Sequence, residues 1–131
     1  MALVHHDLCF GCGQTNLFGL LLEVERVDAD RVAGRCFIKQ DHQGPDRASA
    51  HQGVIAAALC EAMALACDPR ARAVTLTVEL NADDAPVGAF LDVEAVTGDR
   101  EDGTISAAAT ASSEGRQVAT AQGRFALEAA V

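Results

Sequence analysis

The chain has 131 residues, half of them hydrophobic, and a formal charge of −9 at neutral pH. That length makes one domain able to bury its own core, and the apolar content excludes intrinsic disorder. The acidic balance excludes a basic footprint for nucleic acid or an anionic membrane surface, and the lack of Trp and Tyr removes stacking platforms and aromatic cages.

The N-terminal MALVHHDLCF carries acid and histidines in place of a basic head, and no uncharged apolar run reaches about 18 residues. Neither a secretory signal nor a transmembrane span is expected. Five cysteines outside a secretory context point to reduced thiols and a cytoplasmic location. His5 to Gly13 reads HHDLCFGCG, a Cys-x-x-Cys-Gly turn that looks like half a zinc site. The usual second Cys-x-x-Cys is missing, and completing the site with His5 or His6 plus the distant His42 would be strained. In the other reading the thiols pack as small apolar groups. Cys9 and Cys12 are accordingly expected to be reduced and metal-free, with their segment packed over a sheet or a partner subunit.

Gly19–Val27 and Arg31–Ile38, separated by Asp28-Ala29-Asp30, read as a hairpin. Lys39–Ala50 is polar, contains Gly44-Pro45, and is expected to be a loop. His51–Cys67, HQGVIAAALCEAMALAC, is the longest apolar stretch, and Glu61 is its one charged residue. Ala, Leu and Met favour helix, and Asp68-Pro69 stops it, since a residue before proline avoids helical dihedrals. A helix apolar on all sides must be buried on all sides, so a buried carboxylate there is costly without a role. Arg72–Ala82 then alternates, with Val74, Leu76, Val78 and Leu80 opposite Thr75, Thr77, Glu79 and Asn81. Ala89–Val96 is a further strand, Gly98–Gly103 a turn, and Thr104–Ser112 with Arg116–Leu127 a last hairpin. One long helix and no helix between the later strands predict an α+β domain over residues 1–131, with antiparallel pairing.

The segments Cys9-Phe10-Gly11-Cys12-Gly13, Asp41-His42-Gln43-Gly44-Pro45, His51-Gln52-Gly53-Val54-Ile55-Ala56-Ala57 with Glu61-Ala62-Met63, Val74 to Asn81, and Val118 to Phe125 are collinear. Together they resemble hotdog-fold acyl-CoA thioesterases of the phenylacetate-pathway type. The resemblance implies a long central helix wrapped by a curved antiparallel sheet of about six strands. It implies an acyl-CoA or acyl-carrier thioester as substrate. Such a sheet has an exposed edge, and the regular Arg72–Ala82 strand is expected to pair with its copy in a homodimer that can pair further into a tetramer; no cofactor or metal is expected. Two positions depart from the family. Gln52 stands where the first glycine of a His-Gly-Gly loop normally offers its amide to the thioester carbonyl. Cys60 stands where the catalytic Asp is expected, beside a retained Glu61.

Thioester hydrolysis needs an activated water or nucleophile and donors for the oxyanion. The first turn of a helix supplies unpaired N–H groups, so Gln52 and Gly53 are assigned to the carbonyl. Glu61 is the candidate to activate water; the other reading has it hydrogen-bonded to backbone or to an arginine across a subunit contact. His51 is read as a helix-entry residue at the substrate rather than a base, and Cys60 as packing beside the substrate rather than a nucleophile. Thr77 and Glu79 would complete the site from a facing subunit, unless their face is plain solvent. Without the Asp, the alternative to hydrolysis is a protein that binds the thioester and leaves it intact.

Overall fold

The computed structural model describes residues 2–127. In chain order its elements are β1 (Glu23–Arg26), β2 (Arg31–Phe37), α1 (Gln52–Cys67), β3 (Ala71–Leu80), β4 (Phe90–Glu101), β5 (Thr104–Ser113) and β6 (Arg116–Leu127). The six strands form one antiparallel sheet in the order β1-β2-β4-β5-β6-β3. The α1 crossover carries the chain from β2 to the far side of the sheet, so β3 lies at one edge and β1 at the other. The expected α+β architecture, a central helix against a six-stranded antiparallel sheet, is the one found.

Helix α1 runs roughly 25 Å and packs across β2, β3, β4, β5 and β6. Ile55, Ala58, Leu59, Ala62, Met63 and Ala66 are buried along it. The sheet answers with small or branched inward residues, among them Val93, Ala95, Ala107, Ala109, Ala111, Ala119 and Ala121. Alanine on both surfaces lets helix and sheet approach closely, and Phe125, Leu20, Leu22 and Ile38 fill the remaining space. Each of the large ones contributes about 1.5–3 kcal/mol by leaving water. No helix among the described residues is long and apolar enough to cross a membrane.

Three strands depart from expectation. Of the expected Gly19–Val27, only Glu23–Arg26 is strand, because Leu20 and Leu22 donate instead to the Phe10 and Gly11 carbonyls. Composition predicts a turn over Gly98–Gly103, but β4 continues through Glu101, and a bulge between Thr97 and Arg100 absorbs Gly98 and Asp99. Only Asp102 and Gly103 turn, both with positive φ. In β3 a second bulge, between Ala73 and Thr75, interrupts the alternation at Val74. Val74 is 61% exposed, and Leu76 and Leu80 are 40% and 42% exposed, because β3 has a neighbour on one side only.

Candidate functional site

The entry of α1 is assembled from three loops. His51 caps the helix with extended dihedrals (φ −60°, ψ 136°), and its Nδ1 accepts the Gly53 N–H at 2.8 Å. Nδ1 being an acceptor, the ring proton sits on Nε2. The His51 carbonyl accepts the Val54 N–H at 2.9 Å and the Ile55 N–H at 3.3 Å, and the His51 N–H donates to the His42 carbonyl at 2.7 Å. His51 is therefore the helix-entry anchor that the sequence suggested. The Gly53 amide, assigned to a substrate carbonyl, is already spent on the His51 ring, because an imidazole cap folds back over the N2 position. The Gln52 amide carries no hydrogen bond among the described residues and stands at an exposed, positive helix end.

Behind this entry, His42 is a strut. It is buried, its Nδ1 accepts the Lys39 N–H at 3.2 Å, and its Nε2 donates to the Gly19 carbonyl at 3.2 Å. Burial pushes its pKa below the usual histidine value, against a smaller upward pull from the Gly19 carbonyl. With both ring nitrogens engaged, His42 is no metal ligand.

Downstream of Gln52 and Gly53, Ala56, Ala57 and Cys60 form a half-exposed stripe at spacings of three and four residues. Cys60 faces this stripe. Burial and the neighbouring Glu61 charge raise its thiol pKa, which keeps it protonated and unsuited to nucleophilic attack. Glu61, rotated by about 100° from Cys60, points to the N-terminal segment. Its Oε2 meets His5 Nδ1 at 2.8 Å and accepts from the Cys9 thiol at 3.3 Å. Cys12 Sγ lies 3.3 Å from His5 Nδ1, and burial together with Glu61 pushes the Cys12 thiol well up. Gly11 permits this approach: a Cβ there would sit 2.5 Å from Glu61 Cγ. Within the chain, and among the described residues, the partners of Glu61 are a histidine and two thiols of the N-terminal segment, which sequence reading did not pair with it.

Thr77 and Glu79 lie on the opposite side of the sheet. Thr77 pairs with Gln122 and Glu79 with Thr120, residues that share the outer face with Thr110 and Ala108. They line a shallow groove there, away from α1, so a single chain does not bring them to Gln52, Cys60 or Glu61. The residues that sequence reasoning missed are His5 and Cys9 as partners of Glu61; the HHDLCFGCG motif was the available signal.

No protein-family profile and no curated protein sequence matches the chain. Solved structures do. The E. coli PaaI protein from the phenylacetic acid degradation operon aligns with a TM-score of 0.75 at 16% identity, over 86% of this chain and 83% of that one. A thioesterase superfamily protein aligns with a TM-score of 0.82 at 19% identity, over 94% of this chain and 64% of that one. Zebra fish thioesterase superfamily member 2 gives 0.71 at 15% identity, over 82% and 81% of the two chains. At these identities the likeness shows the fold.

Proposed function

We propose, from the hotdog fold that the chain shares with those structures, that it binds an acyl thioester of coenzyme A or of an acyl-carrier protein. The thioester carbonyl lies at the Gln52 amide, and the acyl group runs along the stripe of Ala56, Ala57 and Cys60. The observation that carries this reading is the Gln52 N–H: exposed, without a hydrogen bond among the described residues, and at the positive end of the longest helix. The structural neighbours, thioesterase superfamily proteins among them, suggest the substrate class. Two copies pair through the free edge of β3, which carries the exposed Leu76 and Leu80 and has β6 on its other side, and this pairing would bring residues of a second subunit beside the stripe. Thr77 and Glu79 contribute from that second subunit or from a further pairing into a tetramer through the outer face. Neither nucleic acid nor a membrane is a partner, no cofactor takes part, and the setting is cytoplasmic.

Hydrolysis is the second reading. Glu61 would activate water, and the His5 contact that fixes its carboxylate favours that role. Against it, the contacts with His5 and Cys9 both fall on Oε2 and tie Glu61 to the N-terminal segment, while the protonated Cys60 occupies the position where a carboxylate would act. Binding without rapid turnover is the reading the geometry favours. A thiol-release assay over an acyl-CoA panel decides it, run beside binding measurements on wild type, Glu61→Gln and Cys60→Asp. The account expects binding with little turnover in wild type and gained turnover in Cys60→Asp. An active wild type that loses turnover in Glu61→Gln while still binding would establish the hydrolase instead.

A further inference from the structure

His5, Cys9 and Cys12 reach Glu61 from opposite ends of a long chain separation, and their four ligand atoms all lie within 4.8 Å of one another. We infer that these residues form a structural zinc site that pins the N-terminal segment to the central helix. The site goes beyond acyl-thioester binding and does not depend on it.

The donor set fits the ion. Zinc takes thiolate, imidazole and carboxylate ligands in a closed tetrahedron. With metal–sulfur bonds near ~2.3 Å and metal–nitrogen or metal–oxygen bonds near ~2.0 Å, the corners of such a tetrahedron lie roughly 3.3–3.8 Å apart. Cys9 Sγ to His5 Nδ1 is 3.6 Å, Cys12 Sγ to His5 Nδ1 is 3.3 Å, and Cys9 Sγ to Glu61 Oε2 is 3.3 Å. Of these four edges the His5–Glu61 one, at 2.8 Å, has to open by roughly half an ångström, and the two remaining edges lie within 4.8 Å.

The backbone around the ligands is shaped to match. The Cys-x-x-Cys-Gly turn closes with the Gly13 N–H donating to the Cys9 carbonyl at 2.9 Å, which aims both sulfurs to one side. The His5 N–H donates to Cys12 Sγ at 3.1 Å, a bond that strengthens when sulfur carries thiolate charge. Cys12 is fully buried, and the His5 and Glu61 side chains are 17% and 14% exposed, so water competes poorly. Glu61 is the ligand that the Cys-x-x-Cys motif lacks in sequence, and it explains a carboxylate in an otherwise apolar helix. The metal-free thiols expected from sequence rested on finding no credible fourth ligand, and the fold provides one.

The test uses full-length protein without a polyhistidine tag, reduced with a non-thiol reductant and stripped by a chelator, then titrated with Zn²⁺ against a chromophoric chelator and with Co²⁺ in the spectrophotometer. The expected result is one ion per chain, intense tetrahedral ligand-field bands with thiolate-to-cobalt charge transfer, and a higher melting temperature with zinc. Cys9→Ser with Cys12→Ser should abolish the charge-transfer band, and His5→Ala and Glu61→Gln should each weaken zinc binding at least about tenfold. Cys36→Ser with Cys67→Ser should leave binding unchanged. Circular dichroism of each variant guards against loss of fold. Failure of the reduced wild type to bind, or a cobalt spectrum that survives in Cys9→Ser with Cys12→Ser, overturns the inference.

Discussion

Replacing Gly11 by alanine tests whether Glu61 is held by the N-terminal segment. The added Cβ would lie 2.5 Å from Glu61 Cγ and 2.8 Å from Glu61 Oε1, closer than real Cβ atoms come. Glu61 is flexible enough to swing away, so the cost is less a clash than the loss of its bonds to His5 and Cys9. Hydrogen bonds to a charged group contribute about 1.5–3 kcal/mol, and the side chain is mostly shielded. A loss of about 2 kcal/mol is expected in metal-free protein. At an unfolding entropy of about 2.1 cal/mol/K per residue, that lowers the melting temperature by about 7 °C. The assay is denaturant unfolding of wild type, Gly11→Ala, Glu61→Ala and the double variant. In the double variant the alanine at position 11 should cost little further, since the side chain it collides with is gone. Full additivity of the two substitutions, or a neutral Gly11→Ala, would show that Glu61 does not rest against Gly11.

Two further predictions concern the loop and the sheet edge. His42 is neutral in the fold, with its pKa lowered below the ordinary 6.5, so the unfolded chain takes up its proton first on acidification. The His42 contribution to stability is complete above about pH 6.5 and falls by up to about 1.4 kcal/mol per unit below it, with Lys39 and Asp41 as the nearby charges. Stability measured from pH 7.5 to 5.5 should fall more steeply in wild type than in His42→Asn, and parallel curves would refute this. At the edge, Leu76→Glu places a charge on the exposed β3 strand without touching the buried core. Sedimentation at micromolar concentration should show a wild-type dimer and a folded Leu76→Glu monomer, whereas a monomeric wild type would remove the β3 pairing.

The architecture was legible because its signals are local. The Ala, Leu and Met composition of His51–Cys67 and the Asp68-Pro69 stop define α1, and alternation defines most strands. What failed was local composition overridden by pairing: GDRE has turn residues, yet the bulge at Gly98 and Asp99 lets them lengthen β4 beside β5. The site was less legible because its geometry is long-range. Nothing within the sequence around Glu61 shows that His5 and Cys9 will lie against it, nor that the outer face of β3, carrying Thr77 and Glu79, turns away from α1. His51 could be read as the helix entry, but that its ring would take the Gly53 amide depends on a side-chain rotamer that composition does not encode.

That last detail leaves the Gln52 amide as the donor in the proposed complex, and one substitution removes it alone. Gln52 is the first residue of α1, where proline is favoured because its missing N–H would have no helical partner. The preceding His51, at φ −60° and ψ 136°, already has the extended conformation that a following proline requires. Gln52→Pro should therefore fold as wild type does and lose one hydrogen bond to the bound carbonyl, about 1–1.5 kcal/mol, or roughly tenfold in affinity. Calorimetric titration with a non-hydrolysable acyl-CoA analogue measures it. The account predicts that tenfold weakening with an unchanged melting temperature, and equal affinity in the two proteins would contradict it.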